Sequence, residues 1–392
     1  MLIYLAKELG NQFAQLSQSV TFGNAMRNLA LCEREGKHVL AGSYAVLTQL
    51  KKWDELSQRE RSVFERCHTE IQTRLYIRKH SSALIEVSAV KAGEIRRVDE
   101  GQQLRFVVPY GYFADSARVQ PMRLLGENMN DAELYKRAAA VYLHQFGPTG
   151  DSSQATIHRK LLQLCLSPRG AGGSQLGAEL ELAAKTEMVL AIADGDIRYP
   201  GGTPKNHTTQ VGAQAALAKL KGQAVAELLI TEGRSAENLL PDAGILAHLF
   251  PDAPAETRQE WLSDAQRRLL ADADARRHLD LRAGLRLWEK FPGTESIADE
   301  LRFLEDVAAR HAPQATTTSD CLTACKAASK KLCQCVVIKG LGKELLASAI
   351  EHMTQTPPAE QTLTPDLKRI ARQVAAFGCA VKPQRAGRAF YP

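Results

Sequence analysis

The stretch Met188–Tyr199, MVLAIADGDIRY, decides how this chain is read. Six apolar residues ahead of Asp194-Gly195-Asp196 read as a buried strand that delivers two carboxylates to the mouth of a loop. Side chains alternate along an extended chain, so Asp194 and Asp196 are expected to point the same way. Two hard oxygen ligands at one point suit Mg²⁺ or Mn²⁺. Asp-Gly-Asp is also good turn chemistry, so the reading rests on what surrounds it.

From residue 119 the pattern is strand, helix, strand, helix, strand, which argues for a parallel sheet with crossover helices. Pro121–Gly126 reads as the first strand and ends in Glu127-Asn128-Met129-Asn130-Asp131. A helix follows, with Leu134, Ala138, Val141 and Tyr142 on one face. Lys160–Ser167 reads as the second strand, Pro168–Gly173 as a Gly-rich turn, and Ser174 as the N-cap of the next helix. Met188 onward is the third strand and Ala224–Ile230 the fourth, followed by Glu232 and Glu237. Active sites in such sheets gather at the carboxyl ends of the strands. This order places Glu127, the Gly-rich turn, Asp194 and Asp196 there together, with Glu232 and Glu237 emerging at the same edge. Between the third strand and a helix read over Thr208–Leu220, Tyr199–His207 is a polar loop that includes Lys205 and His207.

Residues 1–118 read as a separate α+β module. After an apolar first turn, His38–Trp53 and Ser57–Tyr76 carry helical signals, the latter opened by a Ser57/Glu60 capping box. Ala83–Val87, Glu94–Val98 and Gln103–Val108 read as strands with a hairpin at Asp99-Glu100-Gly101. Helices followed by a hairpin suggest a winged-helix-like unit. Arg59, Arg61, Arg66, Arg74, Arg78, Lys79, Arg96, Arg97 and Arg105 are available there for phosphates; the plainer reading is a solvated basic face on a docking domain. Residues 251–316 read as a helical insertion within a second domain, 119–392, whose Arg/Asp-rich runs are by default a solvated face. Strand pattern returns at Cys333–Ile338, and a last helix begins at Thr364-Pro365 and stops at Gly378.

Composition sets the outer bounds. A hydrophobic share of 44% against 24% charged allows a sizeable core, and a net charge of +6 over 392 residues permits phosphate contact without demanding it. With no run of eighteen apolar residues and no signal-peptide layout at the start, the expectation is a cytoplasmic protein without membrane contact. Four of the eight cysteines cluster: Cys321, Cys325, Cys333 and Cys335. They could close a Cys₄ zinc site, although C-x₃-C-x₇-C-x-C is not a standard ribbon and thiols also pack well in cores. No HExxH or GxSxG occurs, which argues against a zinc hydrolase or a serine nucleophile elbow.

An acid after the first strand, a DxD after the third and further acids after the fourth is the layout that two-metal phosphoryl transfer needs. The order Glu127-Asn128 with Asp131, Gly-rich turn, then Asp194-Gly-Asp196 resembles the TOPRIM domain shared by topoisomerases, primases and the overcoming-lysogenization-defect nucleases. Glu237–Pro241 and Gly340–Leu346 are similar to features of the abortive-infection branch of that last group. The family pattern has Glu-Gly after the first strand; here Asn128 follows Glu127. The resemblance implies a TOPRIM-like α/β fold with a mainly parallel sheet and flanking helices. It also implies a Mg²⁺- or Mn²⁺-dependent nuclease acting on DNA, tRNA or another RNA, with Glu127 and Asp131 as acid or metal groups. Asp194 and Asp196 would be the metal pair, Glu232 and Glu237 further metal ligands, and Lys343 the phosphate contact. The chain lacks GxxxxGK[ST], so an ABC-type ATPase encoded separately, in anti-phage defence, is the implied partner; a homo-oligomer is compatible. The competing reading is a catalytically inactive TOPRIM-like protein that binds nucleic acid or a partner; a nucleotidyl-transfer enzyme is a third.

Overall fold

The computed structural model describes residues 1–147, 161–203, 209–254, 257–286, 298–311 and 336–383. The chain forms two compact units. One comprises Met1–Ile192, Gly212–Leu229 and the chain from Lys368 on; the other comprises Ala193–Val211 and Ile230–Leu367. They cut across the expected division at residue 118, because the sheets on either side of it belong to the first unit.

The opening residues correct the winged-helix reading. Leu2–Leu5 is strand β1, not a turn of helix, and it is buried along its whole length. Its neighbours β2 (Val39–Gly42) and β3 (Ala83–Ser88) both run parallel to it. With β4 (Arg96–Glu100) and β5 (Gln103–Pro109) they make a five-stranded sheet in the order β2-β1-β3-β5-β4. Only the β4–β5 hairpin is antiparallel. A four-residue apolar run carries no readable period, so a central parallel strand passes for a turn of helix. The helical signals hold where a cap fixes them. The capping box joins Ser57 and Glu60, with Ser57 N–H donating to Glu60 at 2.7 Å. That helix stops at Thr69, and a second runs Ile71–His80.

Under this sheet lies a fully buried carboxylate. Glu33, on the helix Val20–Arg34, accepts from Leu40 N–H at 2.7 Å and pairs with Arg66 at 2.7 Å and Arg74 at 2.9 Å. Arg74 also binds Glu70 and the Leu40 carbonyl. The remaining arginines assigned to phosphates are largely engaged as well: Arg61 with Asp54, Arg78 and Arg105 with Glu86, and Arg97 with Glu227. The basic module therefore stabilises its own fold with most of the charge that the sequence offered to nucleic acid.

The second sheet of this unit is built from β6 (Met122–Gly126), β8 (Leu166–Gly170), β9 (Val189–Ala193) and β10 (Ala226–Ile230), in the order β10-β9-β6-β8. β6 is parallel to both β8 and β9. Together these features bear out an α/β fold with a mostly parallel sheet. The predicted strand over 160–167 is two strands: β7 (Leu162–Leu164) leaves the sheet to pair antiparallel with β13 (Cys379–Val381). β8 runs on through Pro168, which the sequence suggested was a turn. A proline is tolerated there because β8 is the edge of the sheet. Ser174 caps nothing; it lies in a 3-10 turn, Gly173–Gln175, before the helix Leu176–Ala183. The final helix, Pro365–Gly378, buries Leu367, Ile370, Ala371, Val374 and Phe377 as its periodicity predicts.

In the second unit the expected insertion is not all helix. Helices Asp264–Ala271, Ala273–His278 and Ala298–His311 enclose a core of Leu269, Ala275, Leu279, Leu285, Leu304 and Val307. Leu285 belongs to a strand, β11 (Gly284–Arg286), which pairs antiparallel with β12 (Val336–Lys339) in a ribbon separate from the parallel sheet. No helix among the described residues is long and apolar enough to cross a membrane.

Glu33 generates a stability test. Glu33→Gln leaves Arg74 buried with its strongest partner weakened, and breaking a buried pair costs about 3–5 kcal/mol. A urea midpoint shift should report that loss; a change within about 0.5 kcal/mol would show that the cluster contributes nothing net.

Candidate functional site

The order β10-β9-β6-β8 reverses between β9 and β6, because the chain goes from β6 to β8 on one side and returns to β9 on the other. In open α/β sheets, ligands collect outside the carboxyl ends of strands at such a point. Glu127 is the first residue after β6 and Asp194 the first after β9.

The turn after β6 is tightly made. Gly126 and Glu127 carbonyls accept from Ala171 N–H at 3.0 Å and Gly173 N–H at 2.7 Å. A methyl group on Gly170 would stand 2.5 Å from the Met129 nitrogen, so this position is glycine because it presses on the Glu127 turn, whereas Gly172 and Gly173 take left-handed backbone, φ +75 and +65. Asn128 and Asp131 form a reciprocal capping box for the helix Met129–Phe146, Asn128 N–H donating to Asp131 at 3.0 Å and Asp131 N–H to Asn128 at 3.1 Å. Asp131 is 3% exposed. That placement assigns Asp131 to the cap, while Glu127 stays half-buried at the strand end.

β9 ends at Ala193, and the chain that follows is not extended. Asp196 has φ +51, the only positive φ of a non-glycine among the described residues. The alternation that would point Asp194 and Asp196 the same way therefore does not apply. Gly195 explains the break. A methyl group on it would meet the Thr231 carbonyl oxygen at 2.3 Å and that of Gly233 at 2.6 Å, and its N–H donates to Thr231 Oγ1 at 2.9 Å. The backbone is wedged against the segment after β10, and Asp196 takes up the left-handed turn. Burial raises the Asp196 carboxyl above its ordinary value, with the Arg198 and Arg234 charges opposing.

The segment after β10 is held by Asn238. Its Oδ1 accepts from Ser235 N–H and its amide donates to the carbonyls of Arg276 and Leu279. Arg234 N–H donates to the Arg277 carbonyl at 2.9 Å. This brings in a run that the sequence reading left as a solvated face, Ala275-Arg-Arg-His-Leu-Asp-Leu-Arg282. Arg277 lies 4.0 Å from Glu232 and 2.9 Å from Asp366; Arg282 lies 3.4 Å from Glu237; Arg234 lies 3.8 Å from Asp280. His278 is buried and its Nδ1 stands 3.0 Å from the Ile197 carbonyl. A carbonyl only accepts, so Nδ1 carries the proton. Burial also depresses the His278 pKa and keeps the ring neutral. Leu341 and Gly342 N–H groups donate to the carbonyls of Leu281 and Arg282, which sets exposed Lys343 one residue beyond this junction.

The structure thus joins Asp194–Asp196, residues 231–238, residues 276–282 and the Lys343 segment through backbone hydrogen bonds. Glu232 is exposed and Glu237 buried, each beside an arginine. The sequence signal that was missed is the density of Arg and Asp over 276–282, which pairs across sequence rather than along a helix.

Among the described residues, no group of three or more His, Cys, Asp or Glu side chains is arranged to hold a metal ion. Mg²⁺ is commonly held by only one or two carboxylates, with water and substrate oxygens completing its octahedron. Asp194 and Asp196 are both half-buried, and a cation beside Asp196 would offset the burial that disfavours its charge. Cys321, Cys325, Cys333 and Cys335, and Lys205 and His207, lie outside the described residues. Cys32, Cys67 and Cys379 are core thiols; burial pushes Cys67 up to about 12 and Cys379 up to about 11. The chain matches no family model, no curated protein and no solved structure.

Two substitutions test this geometry. Gly195→Ala should destabilise the fold by about 3 kcal/mol or more, read from the denaturant midpoint. Asp196 adds a pH signature. Its folded pKa lies above the ordinary 3.8, so its favourable contribution is full below 3.8 and is lost as pH rises through the folded value. Asp196→Asn does not titrate there. Its stability relative to the unsubstituted protein should increase as pH rises from 3.8 through the raised folded pKa; a gap independent of pH would contradict the burial argument.

Proposed function

We propose that this chain is a metal-dependent nuclease that hydrolyses phosphodiester bonds of DNA or tRNA. The observation that carries the reading is that β9, a strand beside the topological switch point, is followed at once by Asp194, with Asp196 two residues on. Further support comes from Asp196: backbone held in a sparsely populated region costs energy and concentrates at functional sites.

In this reading Asp194 and Asp196 hold the ion, which when bound activates water and neutralises charge on the phosphate. Arg234 and Arg198, whose charges act on Asp196, hold the phosphate as it gains charge, and Lys343 contributes a further cation. His278 fixes the Ile197 carbonyl and so the exit of the Asp-Gly-Asp turn. The TOPRIM resemblance suggests an anti-phage effector that works in the cytoplasm with a separately encoded ABC-type ATPase.

The pairing of Glu232 with Arg277 and of Glu237 with Arg282 favours a second reading, an inactive TOPRIM-like protein that binds nucleic acid or a partner. Carboxylates that already have arginine partners are poorer ligands for further ions.

Cleavage of plasmid DNA and of total tRNA, with Mg²⁺, Mn²⁺ or EDTA, separates the two. The nuclease reading expects metal-dependent cutting that falls on the order of 100-fold or more in Asp194→Ala, as for loss of a group that stabilises developing charge. Cutting that survives both EDTA and the substitution would rule out the assigned site. Binding that is indifferent to metal and to Asp194→Ala, without cutting even beside the ATPase, would establish the second reading.

A further inference from the structure

A second feature, independent of the Asp-Gly-Asp turn, lies within the first unit. Between the β4–β5 hairpin and the segment 214–226 is a cleft of about 760 Å³, within the range of small-molecule sites. Two contacts set its width. Ile95 N–H donates to the Gly222 carbonyl at 2.9 Å. Arg97 grips buried Glu227 with two hydrogen bonds, at 2.9 and 3.3 Å. Both walls are thereby tied before any ligand arrives.

The walls are mostly apolar. Ile95, Val98 and Phe106 line one side, and Leu217, Ala218 and Ala226 the other. The cleft stays open because alanines stand at 218, 224 and 226, where larger side chains would fill it. Its charged lining residues are mainly basic: Arg96, Arg97 and Lys221 against Glu94. Arg97 is held by Glu227 and Asp99, whereas Arg96 and Lys221 form no ion pair among the described residues. An apolar chamber rimmed by two uncommitted cations selects a molecule with an apolar body and an anionic head.

We infer that this cleft binds an anionic amphiphile of small-molecule size, its hydrocarbon or aromatic body against Val98 and Leu217 and its carboxylate or sulfonate head at Arg96 and Lys221. An uncharged amphiphile gains only the apolar burial, and a cationic one is repelled at the rim.

The test uses the full chain, anilinonaphthalene sulfonate as fluorescent probe and dodecanoate as competitor. The inference expects saturable probe binding that dodecanoate reverses and dodecyltrimethylammonium does not. Ala218→Trp, at an exposed position on the wall, should abolish that binding. Arg96→Glu with Lys221→Glu should weaken dodecanoate about tenfold, the size of one charge-assisted hydrogen bond, and leave dodecanol unchanged. Should Ala218→Trp fail to melt cooperatively, Gln214→Trp on the same wall replaces it. No saturable binding, binding unchanged in a folded blocked variant, or equal competition by the cation would each overturn the inference.

Discussion

The second unit depends on one close backbone approach: Gly195 pressed against the carbonyls of Thr231 and Gly233, with its N–H on the Thr231 hydroxyl. From there the constraints run outward in series. Residues 231–238 are fixed by that contact, and Asn238 and Arg234 fasten them to 276–279. Leu281 and Arg282 then receive the Leu341–Gly342 segment. Each link is a main-chain hydrogen bond or a buried amide, groups whose desolvation is costly when unpaired. The charged side chains of this region sit on a frame set by backbone geometry, so their positions are decided before their electrostatics.

Arginine has the same double use in the first unit. Glu33 is wholly buried, and its partners Arg66 and Arg74 come from different helices. Glu86 on β3 receives Arg78 and Arg105 in the same manner. The surplus of positive charge over the chain is modest, and five arginines of the first module, Arg66, Arg74, Arg78, Arg97 and Arg105, neutralise internal carboxylates. Net charge was therefore a poor guide to what that module touches, because it does not distinguish a cation held by its own fold from one open to solvent.

What could be read from the sequence divides along physical lines. β9 was legible because a strand buried on both faces is an uninterrupted apolar run, and β6 and β10 because one charged residue each, Arg123 and Glu227, leaves most of the run apolar. The Ser57/Glu60 box and the helix Pro365–Gly378 were legible because caps and 3.6-residue periodicity are local. β1 and β11 were not, being too short to show a period. The run through Pro168 was misread because a proline signals a turn unless one already knows that the strand is an edge. At the site, Glu127 and the Asp-Gly-Asp turn were visible as residue types. The left-handed Asp196 was not, since it follows from Thr231 and Gly233, more than thirty positions away. The arginines of 276–282 were hidden for the same reason: their partners are distant in sequence.

Pro168 has a consequence for association. An exposed sheet margin is a template on which a foreign strand, or a second copy, can add itself through main-chain pairing. β8 is such a margin, and it is one backbone donor short at its centre while β7 turns away to pair with β13. A strand laid along β8 would find an interrupted ladder. The parallel sheet is in this way terminated on one side by its own sequence, and growth by strand addition there is discouraged.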